Sequence, residues 1–334
     1  MIDNHYFSSL LFLTGLVVSS VCGRANDFTE QARRIQILEQ EGHLPQAISA
    51  TSTLIDFLKR SDPQSLFLPE AYDRRASLEQ DLSQFAEAEH DYLTAVALWE
   101  AAPAPPPLSF ATELNNLASL YSATGQWKKA EALRRRSLAL RLAFSGSESS
   151  EVALSLSNLA IDLFRQGRDT ESASFCRQAL DLWAKAAPER DRSELALNTL
   201  ALIELREQQP SRGLSSALAA LKQYGASLHP TPIQRAAYEH TVALAREANG
   251  EWDEALRSFT SARQCLEHTE HPPVREQCAL FRDYAHLLLA LHRKKEAKQL
   301  LRQADAIGRN LGRTEAQRYT VDWNALWSAS KGNK

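Results

Sequence analysis

Residues Glu113–Arg141 read ELNNLASLYSATGQWKKAEALRRRSLALR, and their spacing decides the fold. Leu114, Leu117, Ala118 and Tyr121 fall on one face of a first helix, while Ala130, Leu133, Arg134 and Ser137 mark the facing side of a second. Apolar residues that return every three or four positions follow the period of a helix, not of a strand. Gly125 lies between the two and supplies the left-handed backbone that a tight turn needs.

Working outward, the turn repeats. It falls on Gly42, Ser83, Gly125, Gly167, Gln208, Gly250 and His292, at intervals of 41 or 42 residues. Residue size gives an independent check. Seven positions before each turn stand Ile35, Ala76, Ala118, Ala160, Ala201, Ala243 and Ala285. Five after it stand Ala47, Ala88, Ala130, Ser172, Gly213, Ala255 and Ala297; twelve after it stand Leu54, Ala95, Ser137, Ala179, Ala220, Ala262 and Ala304. Small side chains at these points let two helices approach to about 8–10 Å. A fixed period with fixed small columns is the mark of a repeat array.

The LNNLA-x-LY helix followed by GQWKKA, and the related GEWDEA at Gly250–Ala255, resemble tetratricopeptide repeats of the kinesin light chain type. The ordinary unit of that family is about 34 residues; the longer unit here is also in the kinesin light chain style. The resemblance implies an all-α, right-handed α-solenoid of seven helix-turn-helix repeats. Trp127 and Trp252 are expected to pack over their turns, with Phe85 in the same place in the second repeat. Asp169 and Pro210 depart from the pattern there, although proline is tolerated in a first helical turn.

The expected organisation is a leader over 1–25, the repeats over 27–312 and a C-terminal capping helix and tail over 313–334. Leu10–Val18 is apolar but shorter than the roughly 20 residues of a membrane span. It fits a secretory signal cleaved after Gly23 or Ala25, which makes the chain exported, with no integral membrane domain after removal. Asp3 and the lack of basic residues before the run argue the other way, for a retained anchor or an incidental leader. Tyr319, Trp323, Leu326 and Trp327 line one side of the final helix, as a cap over the last bare face requires. AAPAPPP at Ala101–Pro107 and SGSESS at Ser145–Ser150 are connectors.

The chain of 334 residues is 44% apolar and 24% charged, with a formal charge of −3, which rules out disorder by composition and gives no electrostatic footprint for nucleic acid. It contains no phosphate loop, no G-x-S-x-G, no H-E-x-x-H and no G-x-G-x-x-G, so no enzyme, cofactor or metal is expected. Cys265 and Cys278 flank one connection together with His268, Glu270 and His271; they read as a disulfide or as two reduced thiols, in a spacing that suits no common zinc module. Cys176 reads as a small buried hydrophobe. The basic runs Arg134–Arg136 and Arg293–Lys298 read as solvated charge on second helices.

In the family the first helices line a concave groove, and the resemblance places Asn115, Asn116, Ser119, Asn158, Ile161, Phe164, Arg165, Asn198, Leu202, Leu205 and Arg206 there. The groove is expected to be polar and acidic over the first two repeats and apolar from the fourth. Asparagines carry a donor and an acceptor and can hold the backbone of an extended segment. Ile161, Phe164, Leu202 and Leu205 would take apolar side chains, and Arg165 and Arg206 would receive carboxylates. The function expected is a protein–protein interaction scaffold binding a peptide or partner segment. The alternative is a structural assembly scaffold that uses convex or terminal surfaces.

Overall fold

The computed structural model of the chain describes residues 22–185, 191–226, 230–267, 269 and 272–309, with side chains from residue 28 onward. The capping helix expected over 313–334, the apolar run of the leader, and His268, Glu270 and His271 lie outside the described residues. Fourteen helices and no strands occur among the described residues. In order they are α1 (Cys22–Gln40), α2 (Leu44–Ser61), α3 (Phe67–Asp81), α4 (Phe85–Ala101), α5 (Pro107–Ala123), α6 (Trp127–Ser145), α7 (Ser150–Arg165), α8 (Asp169–Trp183), α9 (Glu194–Arg206), α10 (Pro210–Gly225), α11 (Pro232–Ala248), α12 (Trp252–Glu267), α13 (Val274–Ala290) and α14 (Lys294–Arg309).

Every expected turn is a turn, and all seven share one chemistry. Gly42, Ser83, Gly125, Gly167, Gln208, Gly250 and His292 all have φ between 58° and 79°. In each, the residue after the turn donates its N–H back to a carbonyl five residues earlier, as Gln126 does to Tyr121 at 2.7 Å and Arg293 to Leu288 at 2.8 Å. The turn residue donates to a carbonyl three residues earlier, as Gly125 does to Ser122 at 3.1 Å. This pair of bonds is the Schellman ending, which satisfies the last carbonyls of one helix while reversing the chain into the next. Connectors between repeats use other devices. Ser149 accepts from Val152 N–H at 3.2 Å to start α7, Thr231 accepts from Gln234 N–H at 3.2 Å to start α11, and Pro107 opens α5.

The chain divides into two compact units, Met1–Leu140 and Arg141–Lys334. In unit 1, α1 packs on α2, α2 on α3, α3 on α4, α4 on α5, and α3 also on α5. In unit 2 the partners of a repeat pair as α7–α8, α9–α10, α11–α12 and α13–α14, and first helices also pack in succession, α7 on α9, α9 on α11 and α11 on α13.

The small columns sit where helices cross. Apart from Ile35 and Leu54, their alanines are fully buried. Two columns hold serine, and there the hydroxyl is satisfied across the crossing: Ser172 donates to the Ala160 carbonyl at 2.7 Å and Ser137 to that of Ala111 at 2.6 Å. At Gly213 a Cβ would stand 2.9 Å from Leu205 Cγ and 3.2 Å from the Ala201 carbonyl, so only glycine fits without a shift.

Two expectations need correction. Trp252, expected to pack over its turn, is 42% exposed, whereas Trp127 is half-buried. Arg134 is not solvated: it is 5% exposed and lies on the side of α6 facing α5, where its guanidinium donates to Asn115 Oδ1 at 2.7 Å. Its neighbours follow the expectation more closely, Arg135 pairing with Glu131 and Arg136 with Glu100.

Candidate functional site

In unit 2 the expected groove residues come from α7 and α9, which pack side by side. On α7, Asn158, Ile161 and Arg165 stand at i, i+3 and i+7; the first two are half-buried and Arg165 is exposed. On α9, Asn198, Leu202 and Leu205 stand at i, i+4 and i+7, all half-buried. Residues three, four and seven apart share one helix face, so each set forms a stripe. Asn198 Oδ1 is buried and has no hydrogen-bond partner. Leu202 and Leu205 rest on the apolar clusters below them and keep one side outward.

Phe164 and Arg206 are placed differently from the sequence expectation. Phe164 is 4% exposed, and the Arg206 guanidinium lies 4.0 Å from its ring centroid. Arg206 also donates to the Phe164 carbonyl at 3.4 Å and pairs with Asp169, in the first turn of α8. An arginine fixed by a ring, a carbonyl and a carboxylate serves as a tie between repeats. The aromatic ring needs a cover once α9 packs against α7, and Arg206 is the side chain long enough to supply it.

In unit 1 the three expected residues are engaged with each other and with α6 and α3. Asn115 is 4% exposed because its amide oxygen accepts from Arg134. Ser119, half-buried, donates to the Asn115 carbonyl at 3.0 Å and accepts from Arg134 at 3.4 Å. Asn116, half-buried, donates its amide to Asp73 Oδ1 on α3 at 2.8 Å. Asn115 is therefore not a groove residue, and Asn116 faces the preceding repeat.

The acidic character expected of the early repeats resolves into named groups. Asp73 is pushed up to about 6, by burial first and against the hydrogen bond from Asn116. Glu70 is pushed up to about 7 by burial and then by the Asp73 charge. Glu113, 3% exposed, is raised well above the carboxylate range by burial and then by Asp73, while the Trp99 indole hydrogen bond acts against this. Sequence reading missed Glu70 and Glu113. The available signal was register, since each stands three residues before a member of the Asp73–Asn116 pair.

Cys265 and Cys278 are free thiols and form no bridge. The Cys278 thiol donates to the Ala304 carbonyl on α14 at 3.4 Å, in the surroundings of Arg282 and Asp305, whereas Cys265 lies by Arg235 and Glu239 of α11. Cys176 is fully buried, and burial pushes its thiol up to about 12. Among the described residues no group of three or more His, Cys, Asp or Glu is arranged to hold a metal ion, and no helix is long and apolar enough to cross a membrane.

Helix pairs joined by identical left-handed turns, with small residues at each crossing, define an α-helical repeat protein. Within it, residues 109–183 match the sequence model of the tetratricopeptide repeat. Among solved structures the chain is similar to the apo form of RapI, at 11% identity over 85% of this chain and 98% of that one, with a TM-score of 0.67. It is similar to the Rap conjugation gene regulator of plasmid pLS20, solved in complex with the Phr* peptide, at 12% identity over 95% and 88%, with a TM-score of 0.63. It is also similar to BtubC (BKLC) from P. vanneervenii, at 20% identity over 66% and 90%, with a TM-score of 0.54. Identities this low speak to the fold. No curated protein matches the chain in sequence.

Proposed function

We propose that the chain is a non-enzymatic protein–protein interaction scaffold that takes an extended segment of a partner along the α7–α9 face of unit 2. The observation that carries this reading is Asn198, whose buried Oδ1 lacks a donor beside the half-exposed Leu202 and Leu205. A buried acceptor without a donor is costly, and rotation of the half-buried Asn198 side chain lets it receive a backbone N–H of an incoming chain, while the two leucines offer apolar contact one and two turns further along. Asn158, Ile161 and the exposed Arg165 extend that surface on α7. The likeness to a peptide-bound Rap regulator supports a peptide as the occupant.

The test is a peptide selection on the full chain followed by fluorescence polarisation with the selected sequence. Asn198→Ala and Asn158→Ala should each weaken binding by about 1–3 kcal/mol while leaving the helical signal intact. Unchanged affinity in both variants would remove the α7–α9 face from consideration. A second reading, assembly through second-helix surfaces, draws on Leu93, Leu218 and Trp252, which are 46%, 40% and 42% exposed. Self-association lost on Trp252→Ser, with no peptide recovered, would favour it. Export through the leader at Leu10–Val18 is part of the same proposal and places the partner in the cell envelope or outside.

A further inference from the structure

We propose that unit 1 carries a notch for a basic side chain, an arginine or lysine of the partner segment, formed by Glu70 and Asp73 of α3 with Glu113 and Asn116 of α5. The inference rests on reading the chain as a receptor for an extended segment, but it involves unit 1 alone.

The geometry starts from one fixed bond. Asn116 Nδ2 donates to Asp73 Oδ1 at 2.8 Å and sets the register of α5 against α3. Glu70 and Glu113 stand one helical turn before these two residues, on the same faces, and both carboxyls feel the Asp73 charge. In the proposed notch the half-buried Glu70 and Asp73 are the mouth, and Glu113, 3% exposed, is the floor. The Trp99 indole N–H donates to the Glu113 carboxyl, yet Glu113 Oε1 has no donor, and neither has Asn116 Oδ1.

A cluster of acids on a protein surface usually has cations paired with it. Among the described residues the groups acting on the Glu70, Asp73 and Glu113 carboxyls are one another, Asn116 and Trp99. The nearby arginines are committed elsewhere, Arg74 to Glu39 and Arg75 to Asp91. The Tyr92 hydroxyl, hydrogen-bonded to Ser77, is pushed up by burial first and then by Asp73 and Glu113. The site thus offers acceptors with donors missing, and a bound cation favours ionisation of carboxyls that burial otherwise holds back. A cationic group on a long apolar stem matches this site, because it can bring several N–H donors past Glu70 and Asp73 to the floor.

The probes are the peptides acetyl-Gly-Arg-Gly-amide and acetyl-Gly-Lys-Gly-amide, with the citrulline peptide as the uncharged isostere of arginine. Each is titrated into the full chain labelled with nitrogen-15. The readout is the Trp99 indole N–H resonance, assigned with Trp99→Phe, because that proton is bonded to the floor carboxyl. The arginine or the lysine probe should move it and the citrulline probe should not. The double variant Glu70→Gln, Asp73→Asn should weaken the cationic probe by about tenfold or more. The same variant should raise the melting temperature of the free protein, since it removes two carboxyls whose ionisation is opposed first by burial and, at Glu70, then by the Asp73 charge. Asn198→Ala should leave the probe's affinity unchanged, so failure of the α7–α9 reading and failure of this one are distinguishable. Equal response to citrulline, no response to either cation, or a lowered melting temperature in the double variant would each overturn the assignment.

Discussion

Asn116 reaches across 43 residues of sequence to donate to the Asp73 carboxylate at 2.8 Å, and His240 and Asp283 meet at the same separation and the same distance in unit 2. Each bond joins the first helix of one repeat to the first helix of the next. A repeat stack is held together by nearest-neighbour interfaces, so such a rung acts on the interface as a whole. The two rungs differ in charge. A neutral amide leaves Asp73 without a counter-charge beside Glu70 and Glu113, and the carboxyls there titrate high.

That arrangement gives unit 1 an unusual pH dependence. In the folded chain Asp73 titrates at about 6 against an ordinary 3.8, and Glu70 at about 7 against 4.5. A carboxyl raised on folding favours the fold while protonated. Its contribution is complete below the ordinary value and is lost as pH rises through the folded value. Stability contributed by this cluster should therefore fall between about pH 4 and about pH 7, opposite to the usual acid behaviour of paired carboxylates. Thermal melts of wild type and of Asp73→Asn check it. The advantage of the variant should be large near pH 7.5 and shrink towards about pH 5. An advantage independent of pH would mean that Asp73 is not raised.

Three of the seven left-handed turns lack glycine, at Ser83, Gln208 and His292, with φ of 60°, 58° and 60°. A side chain in that region costs roughly 1–2 kcal/mol, offset in part by the extra freedom glycine gives the unfolded chain. Ser83 is exposed, so replacing it removes little packing. Ser83→Gly should stabilise by up to about 1 kcal/mol, and Gly167→Ala should destabilise by about the same. An alanine Cβ at Gly167 would meet nothing within 4 Å, which leaves backbone strain as the sole cause. Urea midpoints measure both. A loss in Ser83→Gly would show that the serine makes a contact worth more than the strain.

The turns, the helix starts and the small columns were legible in the sequence because each depends on one residue and its own backbone or on volume at one crossing. Each second helix begins two residues after its turn, as Trp127, Asp169 and Pro210 do. Side-chain partners across repeats were not legible to the same degree. Asn115 and Asn116 are adjacent letters of one motif, yet one is buried under Arg134 and the other reaches Asp73. Which way each points depends on helix rotation of a few tens of degrees, set by packing at Leu114, Leu117 and Ala118 together. Arg134 shows the same limit from the other side. In a run of three arginines nothing local separates the buried one from its exposed neighbours, and only its position toward Ser137 and Ala130 marks the facing side of α6.

Arg165 and Arg206 provide the sharpest contrast among residues that sequence reading treated alike. Arg165 is exposed, whereas Arg206 is held by Asp169, by the Phe164 carbonyl and by the Phe164 ring. Removing Arg206 uncovers that ring and leaves Asp169 without the guanidinium that pairs with it. Arg206→Ala should cost about 1–3 kcal/mol of stability. Arg165→Ala lies on the surface and should change stability by no more than about 0.5 kcal/mol. With a selected peptide that bears a carboxylate, the order should reverse: Arg165→Ala weakens binding, and Arg206→Ala acts on binding only as far as it loosens α9. Melting curves and polarisation titrations on the two variants separate these effects. An Arg206→Ala protein with unchanged melting and reduced affinity would restore Arg206 as a ligand-binding group and dissolve its structural role.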